Sequence, residues 1–278
     1  MHRLATLCAV GAFLAAPAHA MGDLCSEDEV RIVFVHDAPE RGHPKGEAAS
    51  FLAELVNAEL DGRACMEVVA EAPGYSDATV AEGLTSGAYH LAAPALGNLG
   101  HLSRRYLIFD LPFLFKDLDA VFAYQENSTG QALLTEGTEL GLLGLAYWAD
   151  GMKEISATRQ IRMPDDAAGV AFGIQESEIE ADYFETLNAE PVEVPVGELS
   201  SALEAGTVEG QNMTMTNIAA RALHYTQAAV TDSNHGLVQY MLMTSPEFWE
   251  SLDPTLRADL ELLIAIVSQE RNRFAIEM

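Results

Sequence analysis

The chain spells one short pattern twice, and that repetition limits the folds open to it. Leu84-Thr85-Ser86-Gly87-Ala88-Tyr89-His90 is echoed by Leu203-Glu204-Ala205-Gly206-Thr207-Val208-Glu209. Each copy closes an apolar-periodic helical stretch. Each glycine falls where a helix ends in the left-handed conformation that a Cβ disfavours. A short strand follows both times, over 91–93 in the first copy and 208–212 in the second. In open α/β sheets ligands bind in the crevice beyond the carboxyl ends of the strands. Two such units in one chain predict two α/β lobes that present strand ends to a shared cleft and close on a small molecule.

The first residues say where this happens. His2-Arg3, an apolar run over 4–16 and then Pro17-Ala18-His19-Ala20 form a basic start, a hydrophobic stretch and a small-x-small cleavage site. That is the pattern of a secretory signal peptide, too short to span a bilayer. Residues 1–20 are expected to be removed, which places the mature chain outside the cytoplasm. No later stretch of the sequence reaches the roughly 18 uninterrupted apolar residues of a membrane helix. The protein is therefore not expected to be a membrane protein itself.

Cleavage removes Arg3 and leaves 14 Lys and Arg against 42 Asp and Glu. Such a surface repels phosphate backbones and has no basic patch, which excludes nucleic acid as a partner. The scarce cations gain weight accordingly, and the lysines are Lys45, Lys116 and Lys153 alone. Two cysteines survive cleavage, Cys25 and Cys65. In an oxidising compartment such a pair invites a disulfide.

Along the chain the order is strand 30–35, helix from Pro44, strand 65–70, helix 77–84. A helix over 118–135 and a strand over 142–148 follow, and Asp150-Gly151 reads as a turn. Beyond it come strand 169–174, helix 177–187, strand 191–196 and helix 198–205. Helix 217–226, an extended stretch 228–235, strand 240–244 and a long helix over 254–275 complete the chain. Lobe one is expected to comprise 21–149 and 239–278, and lobe two 150–238. The aromatic run Phe109-Asp110-Leu111-Pro112-Phe113-Leu114-Phe115 is expected to pack inside, between the lobes.

Catalytic patterns are nearly absent. There is no CxxC, HExxH, P-loop, EF-hand loop or GxSxG. Gly74-Tyr75-Ser76-Asp77-Ala78 reads better as a helix-capping turn than as a nucleophile elbow. His36, Asp37, Glu40 and His43 match no defined metal spacing and read as loop and cap residues. Glu176, Glu178 and Glu180 read as solvated charges favoured by a helix start. No catalytic residue, metal or cofactor is assigned.

In order, the stretches 87–97, 109–115, Pro164-Asp165 through Gly169-Val170, 202–211, Asn234-His235-Gly236 and Phe248-Trp249-Glu250-Ser251-Leu252 span almost the whole mature chain. Taken together they resemble the periplasmic solute-binding receptors of tripartite ATP-independent periplasmic (TRAP) transporters, of the dicarboxylate-receptor type. The resemblance implies an α/β fold of the two-lobed periplasmic-binding-protein type, type II-like, with a cleft between lobes that closes on an organic acid. It implies a location in the periplasm and delivery to a pair of membrane subunits driven by a sodium gradient. It also implies a segment beyond the long helix, where this sequence stops at Met278. A sensor subunit on the same fold, or a secreted enzyme, are the rival readings.

Family members usually carry an arginine after the Pro-Asp turn whose planar fork grips the ligand carboxylate, a task a lysine does not reproduce. By resemblance that position falls on Gly173, expected on a cleft-facing strand. A second basic position falls on Lys153, the surviving cation, whose replacement is expected to weaken binding and leave stability little changed. The family's Gly-Gln-Glu-Asn falls on Gly210-Gln211-Asn212-Met213. A polar position after the first strand falls on His36 and an aromatic one on Val196. With Asp77, Ala95, Gln175 and His235 these complete the ligand set that the resemblance implies.

Overall fold

The computed structural model describes residues 25–277, so the signal peptide expected at 1–20 lies outside the described residues. Eight strands form one sheet in the order β2-β1-β3-β8-β4-β7-β5-β6. At one end β1 (Val30–Val35) pairs in parallel with β2 (Ala64–Val69) and β3 (Leu91–Ala92). At the other, β5 (Ala171–Ile174) pairs in parallel with β6 (Glu190–Glu193) and β7 (Gly210–Thr214). Two long antiparallel strands, β4 (Leu143–Ala157) and β8 (Ala229–Thr244), run through the middle and belong to both ends.

Those crossing strands correct the sequence reading. Asp150-Gly151 does not turn the chain; β4 continues through it with a register irregularity between Ala149 and Gly151. Gly151 has φ +158, a conformation open to glycine, and the local turn signal yields to pairing with Val238. The stretches 228–235 and 240–244 are likewise one strand. The helix expected over 118–135 is two, α3 (Leu118–Glu126) and α4 (Ser128–Leu133), because Asn127 caps the second through Thr129 and Gly130 N–H groups at 2.8 and 3.0 Å.

Helices cover both faces at each end, as a parallel sheet requires. α1 (Pro44–Glu59) and the long α9 (Pro254–Glu277) bury one core with Phe34, Trp148 and Leu242, and α8 (Pro246–Ser251) adds Trp249 to it. α2 (Val80–Thr85) and α3 bury another with Phe109, Tyr147 and Met241. At the far end α5 (Glu178–Thr186) packs Phe184 on Phe172, while α6 (Leu199–Ala205) and α7 (Met215–Ala220) enclose Leu203, Val208 and Met213. α9 is clamped to β4, with Trp148 Nε1 donating to Ser268 Oγ at 2.8 Å and Asn272 bonding the Tyr147 and Ala149 backbone.

The two echoed glycines do what their position demands: Gly87 has φ +71 and Gly206 φ +70, both in the left-handed region. Cys25 and Cys65 are joined by a disulfide with Cα atoms 5.4 Å apart. It fastens the segment before β1 to the neighbouring strand. The aromatic run divides: Phe109 and Phe115 are buried, but Phe113 is 63% exposed at φ +60 and lies edge-on to Tyr183 across the cleft. Among the described residues no helix is long and apolar enough to cross a membrane.

Candidate ligand site

Where the strand ends of both halves meet the middle of β4 and β8, side chains enclose an inner chamber of about 40 Å³. An outer cleft of about 640 Å³ shares Asp37, Asp77, Asn98, Gln175, Val196 and Arg221 with it. The topology explains the membership. Asp37 follows β1, Asp77 lies beyond β2, Ala95 beyond β3, Gln175 after β5, Val196 after β6, and Asn217 and Arg221 on and just after α7, which follows β7. Lys153, Gln239 and Tyr240 come from the crossing strands.

Three cations and four carboxylates line the inner chamber: Lys45, Lys153 and Arg221 with Asp37, Asp77, Asp110 and Glu180. Lys45 donates from Nζ to Asp37 Oδ1 at 2.5 Å and to the Ala93 carbonyl at 3.2 Å, and sits 4.0 Å over the Tyr240 ring. Its place follows from α1, whose N-cap His43 accepts the Lys45 backbone N–H and whose Pro44 presets the first turn. Burial pulls the Asp37 carboxyl upward, but the Lys45 ammonium beside it brings it down to about 2.

Lys153 Nζ is ion-paired with Glu180 and lies 3.5 Å from Asp110 Oδ1, all three buried. Burial alone would lower this ammonium, yet the two carboxylates hold it charged and raise it above the ordinary lysine value. Asn212 Nδ2 supports Glu180 Oε2 at 3.0 Å, and Ser177 Oγ supports Asp110 Oδ2 at 2.7 Å. Asp77 accepts from the Ala95 N–H at 3.1 Å, Asn98 Nδ2 at 2.8 Å and Tyr75 OH at 3.1 Å. Burial, helped by the nearby Asp37 charge, pushes it up to about 6. Gln239 is buried, and its Oε1 has no hydrogen-bond partner among the described residues.

Of the residues expected from sequence, Asp77, Ala95, Lys153, Gln175, Val196 and Met213 line the inner chamber. Four stand elsewhere. His36 lies behind the wall, edge-on to Phe34, its Nδ1 accepting from the Ala38 N–H at 3.2 Å; its neighbour Asp37 faces the chamber instead. Asn212 acts through Glu180. His235 stacks on Tyr183 at 5.2 Å and contacts Ser233 Oγ at 2.9 Å. Gly173 does not face open cleft: a Cβ there would come 2.7 Å from Leu199 Cδ1 and 3.4 Å from Val208 Cγ2, inside the second lobe's packing. Glu180, expected to be solvated, is buried because its carboxylate pairs with Lys153 of β4 and accepts from Asn212 of β7.

Arg221, Lys45, Asp37, Asp110, Asn217 and Gln239 were not singled out as ligand residues from sequence. The signal for the cations existed, because so few are present in so acidic a chain.

A bacterial extracellular solute-binding protein family, family 7 (DctP), matches residues 34–278. The chain belongs to the DctP family. The C4-dicarboxylate-binding periplasmic protein DctP of Vibrio cholerae is 38% identical over 248 residues, 89% of this chain and 75% of that protein. A TRAP periplasmic solute-binding protein of Pseudomonas aeruginosa, solved with bound L-malate, superposes with a TM-score of 0.85 at 34% identity, covering 88% of this chain and 85% of that one. One from Shewanella oneidensis, solved with bound succinate, gives a TM-score of 0.86 at 33% identity over 90% of this chain and 81% of that one. DctP proteins are two-lobed transport receptors, so the sheet described above is the sheet of a TRAP solute-binding protein, its crossing strands shared between lobes.

Proposed function

We propose that this protein is the periplasmic receptor of a TRAP importer for a small carboxylate that also carries a hydrogen-bond donor, a hydroxyl or an amine. The observation that carries the reading is the mixed charge of the inner chamber. Cations there can hold a carboxylate, while the unpartnered Gln239 Oε1 and the carboxylates beside it ask for a donor in return. A buried acceptor left unmatched is costly, so a ligand that meets it gains over one that cannot.

The lobes hinge where β4 and β8 cross, near 150 and 238, and the protein binds and releases without turnover. The loaded form delivers its ligand to the TRAP membrane subunits. The L-malate and succinate bound by the two related receptors support the ligand class, and the family support the transport role.

A thermal-shift screen of the mature protein, followed by calorimetry, tests this. A ligand that binds only the folded state raises Tm. Hydroxy- and amino-substituted short carboxylates are expected to raise it more than unsubstituted dicarboxylates such as succinate. A panel of organic acids without a single binder overturns the reading, and a preference for succinate over L-malate overturns the donor requirement.

A further inference from the structure

We propose that Arg221 anchors the ligand carboxylate, supplying from the end of α7 the guanidinium that the family resemblance implies at Gly173 on β5. The inference rests on the receptor reading above and goes on to name the residue that decides it.

The other two cations of the chamber are already engaged by carboxylates, Lys45 by Asp37 and Lys153 by Glu180 and Asp110. An anion approaching either ammonium meets those carboxylates as well, so part of the attraction is cancelled. Arg221 differs. Its Nε donates to Asn217 Oδ1 at 3.1 Å and its Nη2 to the Asp37 carbonyl at 3.3 Å. Both acceptors are uncharged groups, and no carboxylate is ion-paired with Arg221 among the described residues; the Asp37 carboxylate feels its charge, but less than that of Lys45, with which it is paired. Two of five guanidinium N–H groups are used, leaving three to hold a carboxylate.

The fork is also held in place. Asn217 donates from Nδ2 to Asp150 and to Thr214 Oγ1, the latter at 3.1 Å, and Thr214 and Thr216 each donate to Asp150 at 2.7 Å. His43 Nε2 meets Asn217 Oδ1 at 3.3 Å. This buried network runs from β4 through α7 to the guanidinium. A donor fixed before binding loses little freedom when the ligand arrives. The Asp37 contact joins the residue after α7 to the loop after β1, so it links the two halves of the sheet across the cleft.

On β5 no such group stands. The first carbon of a side chain at Gly173 would meet Leu199 Cδ1 at 2.7 Å, so the space an arginine stem would need is occupied by the second lobe's core. The chain thus fills the space beside Gly173, where the resemblance implies an arginine, and holds a guanidinium on both the inner chamber and the outer cleft from a different element.

The test is calorimetric titration of the mature protein with L-malate as the probe, comparing native, Arg221→Gln and Arg221→Lys. The native protein is expected to bind, Arg221→Gln to lose at least thirtyfold in affinity, and Arg221→Lys to fall between them, since a lysine keeps charge without the fork. Far-UV circular dichroism and Tm of the unliganded variants check folding. If Arg221→Gln is unfolded, the Arg221→Lys titration decides alone: affinity within threefold of native overturns the proposal. Native binding with Arg221→Gln within threefold of it overturns the anchoring role and leaves the receptor reading standing. Absence of native binding to every organic acid in the screen removes that reading, and this inference with it.

Discussion

Lys153 on the crossing strand β4 and Glu180 in the first turn of α5 form a buried ion pair, with Asp110 of the first lobe as a second acid 3.5 Å from the ammonium. The lysine expected to be a loop charge waiting for a ligand is thus a structural tie between a strand and two segments that flank the cleft. Removing one partner of such a pair leaves an uncompensated buried charge, at a cost of about 3–5 kcal/mol. Lys153→Met is therefore expected to lower unfolding free energy by about that amount in urea titrations. Adding Glu180→Gln should return part of the loss. Unchanged stability in Lys153→Met would contradict the pairing.

Gly173 is expected to resist substitution for steric reasons. Gly173→Ala places a methyl 2.7 Å from Leu199 Cδ1, and overpacking of this kind costs about 1–3 kcal/mol. Gly173→Arg should cost more, because it also carries a charge into apolar packing. Leu199→Ala combined with Gly173→Ala should relieve the clash. Thermal melts of the three variants measure this, and a Gly173→Ala protein as stable as native would show that Leu199 gives way freely.

The Cys25–Cys65 bridge closes a loop of sequence separation 40. By the chain-entropy estimate it contributes about 4 kcal/mol, acting on the unfolded chain. Cys25→Ala/Cys65→Ala should lose about that much in denaturant unfolding. Mass spectrometry of unreduced, alkylated native protein should find neither cysteine modified.

Acid should destabilise the fold through its buried histidines. Burial holds His36 down at about 4 and His235 at about 3, below an ordinary 6.5, with Lys45 and Lys153 respectively adding to the effect. In that window the unfolded chain binds more protons, so stability is intact above 6.5 and is lost as pH falls toward 4 and 3. Each histidine contributes a slope of up to about 1.4 kcal/mol per pH unit. Asp77, raised to about 6, acts in the opposite sense between about 6 and 4, where the folded state holds the extra proton. Urea unfolding from pH 7 to 4 should show a net fall that is shallower in His235→Gln. An identical slope in the variant would mean His235 does not titrate on unfolding.

The fold was legible where the cause was local. Gly87 and Gly206 are left-handed because a helix ending on that residue needs positive φ whatever surrounds it, and His43-Pro44 and Ser245-Pro246 start helices for equally local reasons. Those signals, with the apolar strands between them, determined an α/β chain in two halves with strand ends turned to one cleft, and the ordered motifs determined its family. What tertiary structure decided is which way side chains face and what they meet. β4 runs through Asp150-Gly151 because β8 pairs along it, a bond ladder no local turn signal can reveal. Gly173 faces Leu199 and His36 lies behind the wall, because a strand's alternation fixes two faces while only the neighbouring elements determine which is the cleft. Glu180, Asp110 and Lys153 lie far apart in sequence, and so do Arg221 and Asp37. Their charges cancel or remain available to a ligand only once packing has brought them within reach, since electrostatic energy depends on separation and burial that the order of residues does not contain.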